Sequence, residues 1–154
     1  MQRIDWSEEF ELGIEVIDAQ HRRIVDYINQ LADLQDDGDR GRIAEILDNL
    51  VDYTFSHFAF EESLMEEAGY EFLYVHQHTH EAFTRRIQEL HDRFKQGEPV
   101  SLDLAGMLQT WLFDHIVSDD RSYAPLVRQK FALIEQRSNG AWVTNSIRRF
   151  FGKS

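Results

Sequence analysis

The chain has 154 residues, no cysteine, and 16 Lys and Arg against 28 Asp and Glu, for a net charge of −12. That length suits one domain with a real core, and the lack of cysteine excludes disulfides, thiolate zinc sites and iron–sulfur clusters. The negative charge opposes a phosphate backbone, so nucleic acid is not an expected partner, and any metal must be held by nitrogen and oxygen.

No apolar run approaches a membrane span, and the start MQRIDWSEEF lacks a basic region followed by an apolar core, so a cytoplasmic protein is expected. Two prolines, eight glycines and little strand-like alternation point to an all-α chain. An N-terminal arm carries Trp6, Phe10, Leu12, Ile14 and Ile17 without helical period. A first helix is predicted from about Asp18 to Leu34, broken by QDDGDRG. A second runs from about Arg42 to Glu67 and stops at Gly69; a third spans about Glu71 to Lys95 and ends at QGEP. The fourth begins near Ser101, a good N-cap, and runs past His115 towards Pro125. Short loops between four long helices imply an up-down-up-down antiparallel four-helix bundle with an N-terminal arm and a C-terminal helical tail.

Each helix carries residues able to bind a metal. In HFAFEESLM, residues 57 to 65, His57 and Glu61 stand at i and i+4 on the stripe that Ile43, Leu47, Leu50 and Thr54 mark as inward. A buried ionisable pair is costly unless an ion satisfies it. His21 lies with Ile17, Ile24, Val25 and Ile28 on the first helix; His76 and His80 share a face of the third with Phe83; the fourth has His115 and, five residues on, Asp120. Five is a poor helical spacing that swings Asp120 about 140° off the His115 face. A π-bulge or a bend ahead of Pro125 would correct it; otherwise Asp120 is not a ligand. Any one of these elements is weak, since a lone core histidine is usually structural. Together they offer seven ligands, more than one ion needs. His78 should point away from His76, and His91 lies about 16 Å along the axis from His80, too far to share its ion. Glu62, rotated about 100° from Glu61, suits a supporting or solvated role, and Trp6, Trp111 and Tyr123 suit packing.

His21, H-F-x-x-E-E at 57 to 62, H-x-x-x-H at 76 to 80 with Phe83, and W-L-x-x-H-I-x-x-x-D at 111 to 120 resemble the hemerythrin family, in particular its bacterial members. The stretch W-x-x-x-F-x-L-G-I-x-x-I-D-x-Q-H, residues 6 to 21, matches as well, and the resemblance covers about residues 4 to 130. It implies that His76, His80 and His115 bind one iron and His21 and His57 the other, with Glu61 and Asp120 bridging them beside an oxo or hydroxo group. It also implies reversible O2 binding at the five-coordinate ion, with the pair cycling between Fe2+ and Fe3+ and NO as an alternative ligand. Ile24, Phe58, Trp111 and Phe113 would wall the open position with apolar surface. The chain has no E-x-x-H, the motif of the carboxylate-rich di-iron oxygenases, so carriage, storage or delivery of O2 is expected rather than turnover. The alternatives are a sensor of O2, NO or redox state acting through a partner, and a di-iron oxidase or peroxidase.

The tail departs from the family. After Glu135 there is no acidic residue, while Arg137, Arg148, Arg149 and Lys153 add four positive charges and leave −16 on residues 1 to 135. Val143, Ile147, Phe150 and Phe151 follow helical spacing. The expected division is therefore a di-iron bundle over residues 1–135 and a basic amphipathic tail over 136–154. That tail would dock on the bundle or, alternatively, meet a membrane surface or a protein partner.

Overall fold

The computed structural model describes residues 4–34, 40–98 and 101–152, with the side chains of 101–105 excepted. The expected break at QDDGDRG falls largely outside these residues, whereas that at QGEP is described up to Glu98: the third helix ends at Lys95 and Gly97 takes φ +101°. A 3-10 turn, Glu8–Phe10, leads to α1 (Glu15–Leu34), α2 (Arg40–Ala68), α3 (Leu73–Lys95) and α4 (Ser101–Asp114). A π turn, His115–Asp120, joins α4 to α5 (Arg121–Arg137), and α6 (Trp142–Phe151) closes the chain.

Helices α1 to α4 form the four-helix bundle expected from the sequence: α1 packs on α2 and α4, and α3 on α2 and α4. Its core is the predicted inward stripes, among them Ile17, Ile24 and Ile28 of α1, Leu47 and Leu50 of α2, and Ile87 of α3, each at most 1% exposed. Burying a side chain of this size contributes about 1.5 to 3 kcal/mol before ordering costs.

The arm is tied down by polar contacts. Asn29 clasps the backbone of Ile4, accepting its N–H at 2.7 Å and donating to its carbonyl at 2.9 Å. The buried Asp18 carboxylate accepts from the N–H groups of Leu12 and Gly13 at 2.8 and 3.2 Å, and Arg128 donates to the Leu12 carbonyl. These contacts start α1 at Glu15, ahead of the expected Asp18.

Gly69 ends α2 as foreseen. At φ +75° it lets Tyr70 N–H reach the Met65 carbonyl while its own N–H reaches that of Glu66, a closure that satisfies two terminal carbonyls.

The fourth helix does not stop near Pro125; it continues to Arg137 with Pro125 inside it. Proline withholds one N–H, leaving only the Arg121 carbonyl short of its usual donor, and the chain tolerates that single loss. The π turn precedes it, marked by Arg121 N–H bonding to the Ile116 carbonyl five residues back.

Residues 136 and 137 are the end of α5, and α6 folds back onto α2 and α5. Trp142, Phe150 and Phe151 place their rings 5.4, 6.5 and 6.0 Å from that of Phe60, and Phe151 lies 5.0 Å from Tyr53. The Glu135 carboxylate accepts from Val143 N–H at 2.8 Å, fixing the start of α6. No helix among the described residues is long and apolar enough to cross a membrane.

Candidate metal centre

Five histidines and two carboxylates from four elements meet in the bundle core. Each of the seven residues is at most 4% exposed. The two carboxylates divide the imidazoles between them. Glu61 Oε1 faces the Nε2 atoms of His76, His80 and His115 at 2.8, 3.1 and 3.4 Å, while Glu61 Oε2 faces that of His57 at 3.3 Å. Asp120 repeats the division: Oδ1 lies 3.1 Å from His76 Nε2 and 2.8 Å from His115 Nε2, and Oδ2 lies 3.1 Å from His21 Nε2. Two groups result, Glu61, His76, His80, His115 and Asp120 in one and His21, His57, Glu61 and Asp120 in the other, each with its ligand atoms within 4.8 Å of one another. Both carboxylates belong to both groups.

Asp120 reaches the centre because of the π turn. An ordinary helix would turn it off the His115 face, and bonds spanning five residues bring it back.

The donor set fits metal ions. His21 Nε2, His57 Nε2 and both Asp120 oxygens are buried without a hydrogen-bond partner, and His80 Nε2 sits 3.1 Å from His115 Nε2. Buried polar atoms left unpaired are costly, and neutral imidazoles with carboxylates suit a borderline transition ion.

The electrostatics lead to the same conclusion. Burial alone would raise the Glu61 carboxyl, yet the His57 charge and the close approach of the His115, His21 and His57 imidazoles hold it well below the usual range. Asp120 is lowered against both burial and the Glu61 charge by His115 and His21. In exchange, and against burial, the nearby carboxylates of Asp120 and Glu61 push His76 up to about 9. His115 rises well above its ordinary value, burial again being outweighed, here by the Asp120 charge and hydrogen bonds to Asp119 and Glu61. His57 goes down because burial dominates there. Without a cation, the carboxylates draw protons onto the imidazoles; a cation at the same place displaces those protons.

Outer contacts orient the clustered imidazoles. The Nδ1 atoms of His57, His80 and His115 lie 2.7, 2.9 and 3.2 Å from Gln20 Oε1, Glu62 Oε2 and Asp119 Oδ2. Each such bond places the proton on Nδ1 and frees Nε2 to ligate. The Tyr123 hydroxyl donates to Glu61 Oε2 at 3.0 Å. Glu62 thus takes a supporting position, as read from the sequence, whereas Gln20 and Asp119 were missed and Tyr123 was read as packing. Asp119 stands at i+4 from His115, a spacing that could have exposed it. Gln20 meets a histidine on another helix, and nothing local announces that.

Phe58 stacks on His80 at 4.0 Å and Trp111 on His115 at 4.3 Å, so both rings press on the three-histidine group. Ile24 is 1% exposed in the core. Phe113 is not brought to the cluster: it is 41% exposed and sets its ring against Phe10 at 5.5 Å. His78 and His91 also lie apart, His78 beside Glu81 at 3.7 Å with its side chain 81% exposed, and His91 on Asp48 at 2.7 Å.

A four-helix bundle with two groups of imidazoles joined by shared carboxylates defines a class of metal-binding protein. The family described as hemerythrin HHE cation binding domain matches residues 12–127. Bacteriohemerythrin of Pseudomonas aeruginosa is 48% identical over 153 residues, covering 99% of this chain and 100% of that protein. Bacteriohemerythrin of Methylococcus capsulatus is 33% identical over 127 residues, covering 81% and 97%. A crystal structure of wild-type hemerythrin superposes with a TM-score of 0.78 at 32% identity, covering 82% of this chain and 98% of that one. The chain belongs to the hemerythrin family. The alignment with the Pseudomonas protein runs through α6, so the tail, which lies beyond the matched domain, is spanned by a relative as well.

Proposed function

We propose that the protein binds O2 reversibly at a non-haem di-iron centre, for carriage, storage or delivery in the cytoplasm. The observation that carries this reading is the pair of ligand groups sharing Glu61 and Asp120. His76, His80 and His115 would hold one ion and His21 and His57 the other, with an oxo or hydroxo group completing the bridge. Family membership and the nitrogen- and oxygen-only donor set support iron.

An iron pair bound there would supply the electrons for O2 binding, cycling between Fe2+ and Fe3+. The rest is done by the chain. Glu61 and Asp120 belong to both ligand groups and would hold both ions. Gln20, Glu62 and Asp119 keep three imidazoles in the tautomer that presents Nε2. Phe58 and Trp111, stacked on ligands, restrict water at the centre, and Ile24 adds apolar surface nearby. Tyr123, whose hydroxyl is pushed well above its ordinary range by burial and the charges of Glu61 and Asp120, stays protonated and holds Glu61 in place.

Reducing the protein without air, admitting O2 and then sweeping with argon tests the reading. Two irons per chain and a visible charge-transfer band that appears with O2 and disappears with argon are expected. A band that never forms, or that fades only with net consumption of a reductant, would reject reversible binding.

A further inference from the structure

The two ligand groups differ in what stands behind their imidazoles. In the three-histidine group, His80 Nδ1 faces the Glu62 carboxylate at 2.9 Å and His115 Nδ1 faces the Asp119 carboxylate at 3.2 Å. In the two-histidine group, His57 Nδ1 faces the neutral amide oxygen of Gln20 at 2.7 Å, and His21 Nδ1 is buried with no partner at all. Two anions therefore back one position and none backs the other.

An anion accepting the Nδ1 proton raises the basicity of the opposite nitrogen and draws positive charge towards it; an amide does so far less. Taking up the two-position reading above, we infer that Glu62 and Asp119 make the three-histidine position the tighter of the two. Metal enters it first and leaves it last. Gln20 keeps the two-histidine position weaker while still fixing the tautomer of His57. The asymmetry exceeds what one additional histidine supplies, because it resides in charges that touch no metal. Of the two anions, Glu62 carries more of the effect: its side chain is 26% exposed against 42% for Asp119, so water screens it less, and its bond is the shorter.

The test uses the full-length protein stripped by a chelator and titrated with Co2+ in the absence of air. Solvent-exchangeable imidazole N–H protons shifted by the paramagnetic ion count the histidines at each position. In the unaltered protein the first equivalent should shift three such protons, and the second should bind more weakly and add two. Glu62→Gln with Asp119→Asn keeps both acceptor oxygens and removes both charges. It should weaken the first equivalent by about 10- to 100-fold, the range for lost outer partners, and the second by much less. Glu62→Gln alone should account for more of that loss than Asp119→Asn alone. Gln20→Glu, the reciprocal change, should tighten the second equivalent and leave the first alone. A merely structural role would weaken both equivalents together and would give no gain in Gln20→Glu. Equal weakening of both, no weakening, or a first equivalent that shifts only two protons would each overturn the inference while leaving two positions standing. Uptake of a single equivalent by the unaltered protein would instead reject the two-position reading, and the inference with it.

Discussion

Tyr123 donates its hydroxyl to Glu61 Oε2 at 3.0 Å, with both residues shut off from solvent. The bond joins α5 to α2 at the carboxylate shared by both ligand groups. Tyr123→Phe removes a donor to a buried charge and should lower stability by about 1.5 to 3 kcal/mol, read from the denaturant midpoint of the metal-free protein. Iron content should stay at two per chain, because no ligand is lost. A variant as stable as the parent would show that the hydroxyl is not holding Glu61.

Substitution of the seven clustered residues should differ sharply from substitution of the two outlying histidines. Glu61→Ala should abolish iron binding at both positions, since it faces four of the five imidazoles at 3.4 Å or less. His57→Ala should cost the iron at its own position. His78→Ala and His91→Ala should retain full iron content by elemental analysis. Loss of iron in His78→Ala would mean that α3 faces the core differently.

Removing the metal should reveal a pH dependence. His76 is raised in the fold to about 9 from an ordinary 6.5, so its stabilising effect is complete below about 6.5 and is lost as pH climbs through 9. Glu61 and Asp120 are lowered, so their contributions are present above the ordinary carboxylate values and are lost on acidification. The chelated protein should melt highest at mildly acidic pH and progressively lower towards pH 9. The iron-loaded protein should not follow that decline, because ions rather than protons then satisfy the imidazoles. Thermal midpoints at pH 6, 7.5 and 9, with and without iron, check this; a chelated protein that gains stability over that range contradicts it.

Truncation after Arg137 strips Trp142, Phe150 and Phe151 from Phe60, which is fully buried in the intact chain. Stability should fall by a few kcal/mol, on the order of one to two buried side chains since the departing rings are only half-buried. Iron content and the oxygenated spectrum should be unchanged, every clustered ligand lying between His21 and Asp120. An unchanged melting temperature would favour a tail that serves an outside surface instead.

Reading helical period from the sequence located the bundle and most of the cluster, because inward residues repeat every three or four positions and His21, His57, Glu61, His76, His80 and His115 all keep that phase. Asp120 breaks phase, and only the family resemblance placed it, since a π turn leaves no compositional mark. The same arithmetic, applied to Phe113, would have turned it away: it stands two residues from His115, about 200° round the helix, while Trp111 at four residues stacks on that imidazole. Pro125 misled because a proline usually ends a helix, and here one unserved carbonyl was tolerated. Gln20 was illegible because its partner lies 37 residues away, and such pairings exist only once the helices have packed.

The π turn also sets the phase of everything downstream. Its extra residue turns Asp120 inward, and it equally determines where Tyr123 points and on which side α5 delivers α6 to Phe60. Were residues 115–120 to adopt an ordinary helix with all six residues kept, every later side chain would rotate by about 100°. Metal binding and tail docking, far apart in sequence and chemically unrelated, would then fail together, since a single register serves both.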